Sequence, residues 1–193
     1  MKSIAIFCGA SEGYNECYRE AAYEAGEILA EKKIRIVYGG GRTGIMGAIA
    51  EGALHNGGNI IGVIPSFLKV KEVAHDRLSS MITVDTMHQR KMKIHELCDG
   101  IIALPGGWGT MEELFEMLTW GQLGLHQKPV GLYNINGYYD LLKTFSDNMV
   151  QEGFLDERIN NNLLISDSFI DLLEQMNTYS PPALPHWITN QTT

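Results

Sequence analysis

Ile101-Ile102-Ala103-Leu104-Pro105-Gly106-Gly107-Trp108-Gly109-Thr110-Met111-Glu112-Glu113-Leu114 reads as a buried strand, a glycine turn and a helix start. Four apolar residues in a row, stopped by proline, suit a parallel strand covered on both faces. The same grammar recurs at Ile36-Val37-Tyr38-Gly39-Gly40-Gly41-Arg42-Thr43-Gly44-Ile45-Met46-Gly47. Working outward, strands are predicted over 3–8, 34–38, 59–64, 81–84, 100–104 and 129–133, with a short one at 163–165. Amphipathic helices are predicted between them, over 18–32, 44–56, 87–98, 111–123, 138–152 and 168–177. Such alternation predicts an α/β fold, a doubly wound parallel sheet flanked by helices in one domain over 1–180. Residues 181–193 follow Ser180 and open Pro-Pro-Ala-Leu-Pro-His-Trp187, which cannot form a helix interior, and they are expected to lie extended on the surface.

The chain has 193 residues, 45% of them hydrophobic and 20% charged, which excludes a disordered or low-complexity protein. Fifteen Lys+Arg against 23 Asp+Glu leave a formal charge of −8, and no basic block offsets it. Nucleic acid is therefore not an expected partner, whereas a small anion held by local backbone dipoles is compatible with that balance. No apolar run approaches the roughly 20 residues of a membrane helix, so no membrane partner is expected. Cys8, Cys17 and Cys98 form no CxxC pair, and Ile4-Ala5-Ile6-Phe7 follows the N-terminus with no leader pattern. A reducing, cytoplasmic setting is the expectation.

Ligands of open α/β sheets sit beyond the carboxyl ends of the strands, so the loops there carry the function. Gly39, Gly41 and Gly44 spell G-x-G-x-x-G, which brings backbone N–H groups close to an anion at a helix start. A dinucleotide site also requires an acidic residue at the end of the following strand. That strand ends Gly62-Val63-Ile64-Pro65-Ser66, without a carboxylate, which argues against a nicotinamide cofactor and a hydride-transferring oxidoreductase. The plainer alternative is a tight turn that packs the helix against the sheet. No G-x-x-x-x-G-K-[ST] pattern supports ATP hydrolysis.

In the 101–114 stretch, Thr110-x-x-Glu113 has the spacing of a capping box, with the helix starting at Thr110. Glu113 is then a helix cap, or a carboxylate folded back beside a ligand whose anion occupies the helix start. A third loop gives Asp85-Thr86-Met87-His88-Gln89-Arg90-Lys91, where Asp85 or Thr86 caps a helix with two cations in its first turns. Cations are unfavourable at a positive helix N-terminus. Arg90 and Lys91 therefore suggest an anion nearby, against the alternative of a solvated basic face balanced by Glu96 and Asp99. His88 has no second His or Cys at helical spacing, and no metal site is expected anywhere.

Pro105-Gly-Gly-Trp-Gly-Thr-Met-Glu-Glu113 fits PGGxGTxxE, and Met87-His-Gln-Arg-Lys91 fits the MHxRK element that accompanies it. With Val37-Tyr-Gly-Gly-Gly41 and Gly44-Ile-Met-Gly47, the chain resembles the LONELY GUY family of nucleoside-5′-monophosphate phosphoribohydrolases, often labelled lysine decarboxylases. The resemblance runs from residue 4 to about residue 154 and includes Thr119-Trp-Gly-Gln-Leu-Gly124. Cys8-Gly9-Ala10-Ser11 departs from the family's usual Cys-Gly-Ser-Ser by one hydroxyl.

The resemblance implies a Rossmann-like fold and a homodimer with each active site completed near the interface. It implies cleavage of AMP or N6-modified AMP to free base and ribose 5-phosphate, without cofactor. It implies Arg90 and Glu113 as the catalytic pair. It assigns nucleotide binding to Gly41, Glu72, Met87, Arg90, Lys91, Gly106, Gly107, Trp108, Gly109, Thr110, Met111, Glu112 and Thr119. Arginine stays protonated, so holding phosphate or polarising the leaving base suits Arg90 better than donating a proton. The alternative reading is a non-catalytic nucleotide-binding module, which has no need of a carboxylate beside the scissile bond.

Overall fold

Each apolar run of the sequence becomes a strand, and the computed structural model describes residues 1–69 and 74–182. In chain order the strands are β1 (Ser3–Phe7), β2 (Arg35–Tyr38), β3 (Ile60–Pro65), β4 (Ser80–Val84), β5 (Gly100–Ala103), β6 (Val130–Tyr133) and β7 (Leu164–Ser166). The helices are α1 (Cys17–Glu31), α2 (Gly44–His55), α3 (Met87–Leu97), α4 (Trp108–Gln122), α5 (Asp140–Gln151), the short α6 (Glu157–Asn160) and α7 (Phe169–Thr178). The strands form one parallel sheet in the order β4-β3-β2-β1-β5-β6-β7. Ile4 aligns with Ile36 on one side and Gly100 on the other. No described helix is long and apolar enough to cross a membrane.

Alternate strand residues face two separate cores, as a period of two requires. Ile4, Ile6, Ile36, Tyr38 and Ile102 pack with α1, α2 and α7. Ala5, Phe7, Val37, Ile101 and Ala103 pack with α3 and α4, joined by Tyr139 and Leu142 from the α5 region. On the first face α1 and α2 approach closely at two glycines. A Cβ on Gly26 would fall 2.3 Å from Ile49 O, and one on Gly52 would fall 2.0 Å from Tyr23 O.

The sheet order reverses between β1 and β5, so the loops leaving these neighbours diverge and open a crevice, the place where open α/β sheets bind ligands. The G-x-G-x-x-G loop follows β2, one strand away from that point. The crevice is thus built mainly by the loops after Phe7 and Ala103, with the loop after Tyr38 as a side wall.

Two local expectations are corrected. Helix α4 begins at Trp108 with Gly107 as N-cap and no side-chain cap, so Thr110 and Glu113 do not form a capping box. Glycine at Gly107 lets the chain turn early, and the buried Thr110 hydroxyl packs on Gly106 instead of capping. The capping box belongs to α3: Thr86 Oγ1 accepts from Gln89 N at 3.2 Å, and Gln89 Oε1 accepts from Thr86 N at 3.3 Å. Of the tail expected to lie extended, 183–193 lies outside the described residues.

Candidate active site

The crevice is a cavity of about 580 Å³, within the usual size of a small-molecule site. Three chain segments close it: Cys8 to Gly13 after β1, Gly39 with Ile45 and Met46 around α2, and Pro105 to Glu113 from β5 into α4. Met87 and Arg90 enter from α3, and Tyr18, Leu68 and Tyr138 complete the wall. Backbone hydrogen bonds tie the first wall to the third. Gly9 N donates to Pro105 O at 3.0 Å, and Leu104 N donates to Phe7 O at 2.9 Å.

The two glycine loops use their helix starts differently. At α2, Met46 N donates to Gly9 O and Ile45 N to Ser11 O, so the β1 loop occupies the first-turn donors. Gly44, at φ +61°, lies so close that a Cβ would stand 2.3 Å from Ala10 C. That loop is a packing turn, the plainer of its two readings. At α4 the first intrahelical bond is Met111 N to Gly107 O. The N–H groups of Trp108, Gly109 and Thr110 precede the ladder and have no intrahelical carbonyl. With the helix dipole behind them they favour an anion, and Gly107 and Gly109 stand in the cavity wall.

Arg90 and Glu113 share this cavity, and both are buried, at 6% and 9% exposure. Arg90 lies against Gly39, where a Cβ would meet its Nη2 at 2.0 Å. Its Nε has no hydrogen-bond partner, a polar group desolvated yet unsatisfied. Burial pushes the Cys8 thiol well above its ordinary range, the Glu113 carboxylate adds to the rise and the Arg90 guanidinium opposes it. Glu113 and Arg90 are therefore both within electrostatic reach of Cys8.

Lys91, one residue on, turns the other way. Its Nζ donates to Glu112 Oε1 at 2.5 Å and Glu116 Oε1 at 3.1 Å, tying α3 to α4. Burial alone would lower its pKa, but those carboxylates outweigh it and raise the value. The anion that the Arg90-Lys91 pair suggested is thus, for Lys91, two glutamates of the chain itself.

Of the residues singled out in the sequence, Met87, Arg90, Gly106, Gly107, Gly109, Thr110, Glu112 and Glu113 come together around the cavity. Trp108, Glu112 and Thr119 lie with Phe115 on an exposed stripe of α4. Met111 packs on the core beneath. Gly41 is buried beside the cavity, its carbonyl accepting from Tyr38 Oη at 3.1 Å. Glu72 lies outside the described residues. After that gap, Ala74 bridges Gly41 and His75 N donates to Gly40 O, while the His75 ring and Arg77 both bond Glu51 of α2.

Sequence reasoning missed Tyr18 and Tyr138. They stand edge-on, 5.9 Å apart at 81°, and Tyr138 Oη donates to Gly106 O at 2.5 Å. Asn134-Ile135-Asn136-Gly137 before Tyr138 was the available sign, since Asn-Gly readily takes left-handed turns. Among the described residues no group of three or more His, Cys, Asp or Glu stands ready to hold a metal ion.

Comparison with known proteins agrees with this architecture. A family model described as "Possible lysine decarboxylase" matches residues 46–176, a segment containing both Arg90 and Glu113. The Arabidopsis thaliana cytokinin riboside 5′-monophosphate phosphoribohydrolases LOG7 and LOG2 are 43% and 44% identical. Each alignment covers 94% of this chain, with 83% and 85% of the respective relatives. Among solved structures, the molybdenum cofactor binding protein of Rippkaea orientalis superposes with a TM-score of 0.69 at 22% identity, over 91% of this chain and 95% of that one. The molybdenum cofactor carrier protein of Chlamydomonas reinhardtii gives 0.66 at 18% identity, over 92% and 98%. These two share the Rossmann-like fold, and at such identity they speak to nothing finer. The sequence relatives are closer, and by them the chain belongs to the family of cytokinin riboside 5′-monophosphate phosphoribohydrolases.

Proposed function

We propose that this protein hydrolyses the N-glycosidic bond of AMP and N6-modified AMP, releasing the free base and ribose 5-phosphate. The observation that carries the reading is one cavity holding a buried carboxylate, a buried guanidinium and the glycine start of a helix. Cleaving the bond develops positive charge at C1′ and negative charge on the departing base. Glu113 stabilises the oxocarbenium-like centre and orients the attacking water, as a carboxylate does in glycosidases. Arg90 stays charged and meets either the phosphate or the leaving base through charge-assisted hydrogen bonds. The start of α4 takes the 5′-phosphate, and that remote binding energy positions the sugar for attack.

A pyridoxal-type decarboxylase would require a lysine amine facing its substrate. No described residue of the cavity wall is a lysine, and Lys91 is held by Glu112 and Glu116. The residues do not fit that group.

The same proposal includes a homodimer. The α4 stripe leaves Trp108 92% and Phe115 41% exposed, and Trp108 stands between the cavity-lining Gly107 and Gly109. Trp108 and Thr119, assigned to the nucleotide by family resemblance, lie on this stripe, where a second copy would meet them. It also includes a reducing, cytoplasmic setting, consistent with three unpaired cysteines.

Glu113→Gln tests the chemistry. It keeps the side chain's size and removes its charge, so turnover of AMP should fall roughly a hundredfold or more, the scale of one lost transition-state stabiliser, with little change in thermal midpoint. A lowered midpoint with an unchanged rate per folded molecule would make Glu113 a structural group only.

A further inference from the structure

One peptide of the cavity wall, Gly106–Gly107, has no side chain on either flanking α-carbon. Gly107 lies at φ −92°, ψ −153°, and a Cβ there would meet nothing within 4 Å. Gly106 is different: a Cβ would fall 2.1 Å from Thr110 Oγ1 and 2.8 Å from Gly9 N. Turning this peptide plane over rotates ψ of Gly106 and φ of Gly107 by about half a turn, bringing φ of Gly107 to positive values, which glycine enters without steric penalty. Nothing in the covalent chain therefore decides which way the plane faces. The choice matters, because N–H and C=O are antiparallel across a trans peptide. One orientation adds the Gly107 N–H to the donors at the start of α4, and the other puts a carbonyl among them.

Tyr138 settles the choice, since its hydroxyl donates to Gly106 O at 2.5 Å. The ring is held from two sides, edge-on to Tyr18 at 5.9 Å and to Tyr139 at 5.1 Å. Tyr139 in turn donates through its hydroxyl to Leu104 O at 2.7 Å. Left-handed Asn136 (φ 52°) and Gly137 (φ 71°) turn the chain just before this pair, and Asn134 Oδ1 accepts from Tyr139 N at 2.7 Å. Adjacent tyrosines thus fix two carbonyls at the end of β5 and in the glycine turn, one buried and one exposed.

We propose that Tyr138 is a positioning residue: its hydroxyl locks the Gly106–Gly107 peptide in the orientation that offers the Gly107 N–H to the substrate's phosphate. The lock rests on the nucleotide reading of this cavity. Donation to Gly106 O also polarises that peptide, which strengthens its N–H as a donor.

A double-mutant cycle on the full chain tests it, with ribose 5-phosphate as the probe in calorimetry. Tyr138→Phe keeps the ring and removes the hydroxyl. Gly107→Ala adds a Cβ that the present φ accepts and the turned-over φ penalises, so it restrains the plane by another route. Ribose 5-phosphate binding should weaken about tenfold on Tyr138→Phe in the Gly107 chain. In the Gly107→Ala background the same change should cost less than about threefold. Any crowding of the ligand by the new Cβ is common to both arms and cancels. In the ligand-free protein, the Gly107 amide resonance, single in the wild type, should split or broaden in Tyr138→Phe. An additive cycle overturns the proposal, as does a Gly107 amide left single and unshifted. The resonance is read without ligand, so it still decides the lock if the wild type fails to bind ribose 5-phosphate, a result that would count against the nucleotide reading instead.

Discussion

Arg90 is buried with its Nε unsatisfied, whereas the neighbouring Lys91 spends its ammonium on two carboxylates. A helix turns about 100° per residue, so adjacent cations on α3 face the cavity and the α3–α4 seam respectively. Further along that seam, His95 stands 5.4 Å from Trp120 and 5.2 Å from His126, with Lys128 Nζ donating to its carbonyl. Burial, with Lys128 and His126 adding to it, lowers the His95 pKa to about 4. An unfolded histidine titrates near 6.5. Between these values the unfolded chain binds the extra proton, so the contribution of neutral His95 is complete above about pH 6.5 and is lost as pH falls toward 4. His126 is shifted in the same direction by its burial. The thermal midpoint should drop from pH 7 to pH 5, and His95→Gln should make that slope shallower. An unchanged slope in His95→Gln would remove the seam histidine from the account.

At the scale of elements, glycine has two uses here that the sequence alone does not separate. Gly26 and Gly52 are absent from every motif, yet they permit the close approach of α1 and α2. Gly52→Ala sets a Cβ 2.0 Å from Tyr23 O and should cost roughly 1–3 kcal/mol by overpacking. For a chain of this size that is a fall of about 2–12 °C in thermal midpoint. A midpoint within a degree of wild type would show that α1 and α2 can part freely. The central strands were legible because both their faces are buried, which writes them as unbroken apolar runs. The starts of helices were less so: Thr110-x-x-Glu113 matches a cap by spacing, but Gly107 lets α4 begin at Trp108. A flexible glycine leaves no side-chain record of where the turn closes. Equally, the spent donors of α2 depend on Ser11 O and Gly9 O, which arrive from a loop over thirty residues earlier.

Across the whole molecule, the order β4-β3-β2-β1-β5-β6-β7 sets the crevice between β1 and β5 and brings Arg90 from one helix to Glu113 of another. The pairing of these two residues was implied by resemblance, not by spacing, since 23 positions apart on separate helices leave no periodic trace. Tyr138 escaped notice for the same reason, its partner Gly106 being 32 residues away. The exposed stripe of α4 predicts that the chain sediments as a dimer at micromolar concentration and that Phe115→Glu shifts it toward monomer with reduced activity. A fully active monomer would remove the interface from the account. Hydrolysis at this cavity is tested by chromatography of products after incubation of the wild-type protein with AMP and, separately, with adenosine. Equal amounts of adenine and ribose 5-phosphate are expected from AMP, with no added metal or nicotinamide, and little cleavage of adenosine, which leaves the start of α4 unused. Recovery of intact AMP from a protein that binds it, or equal cleavage of adenosine, would contradict that claim.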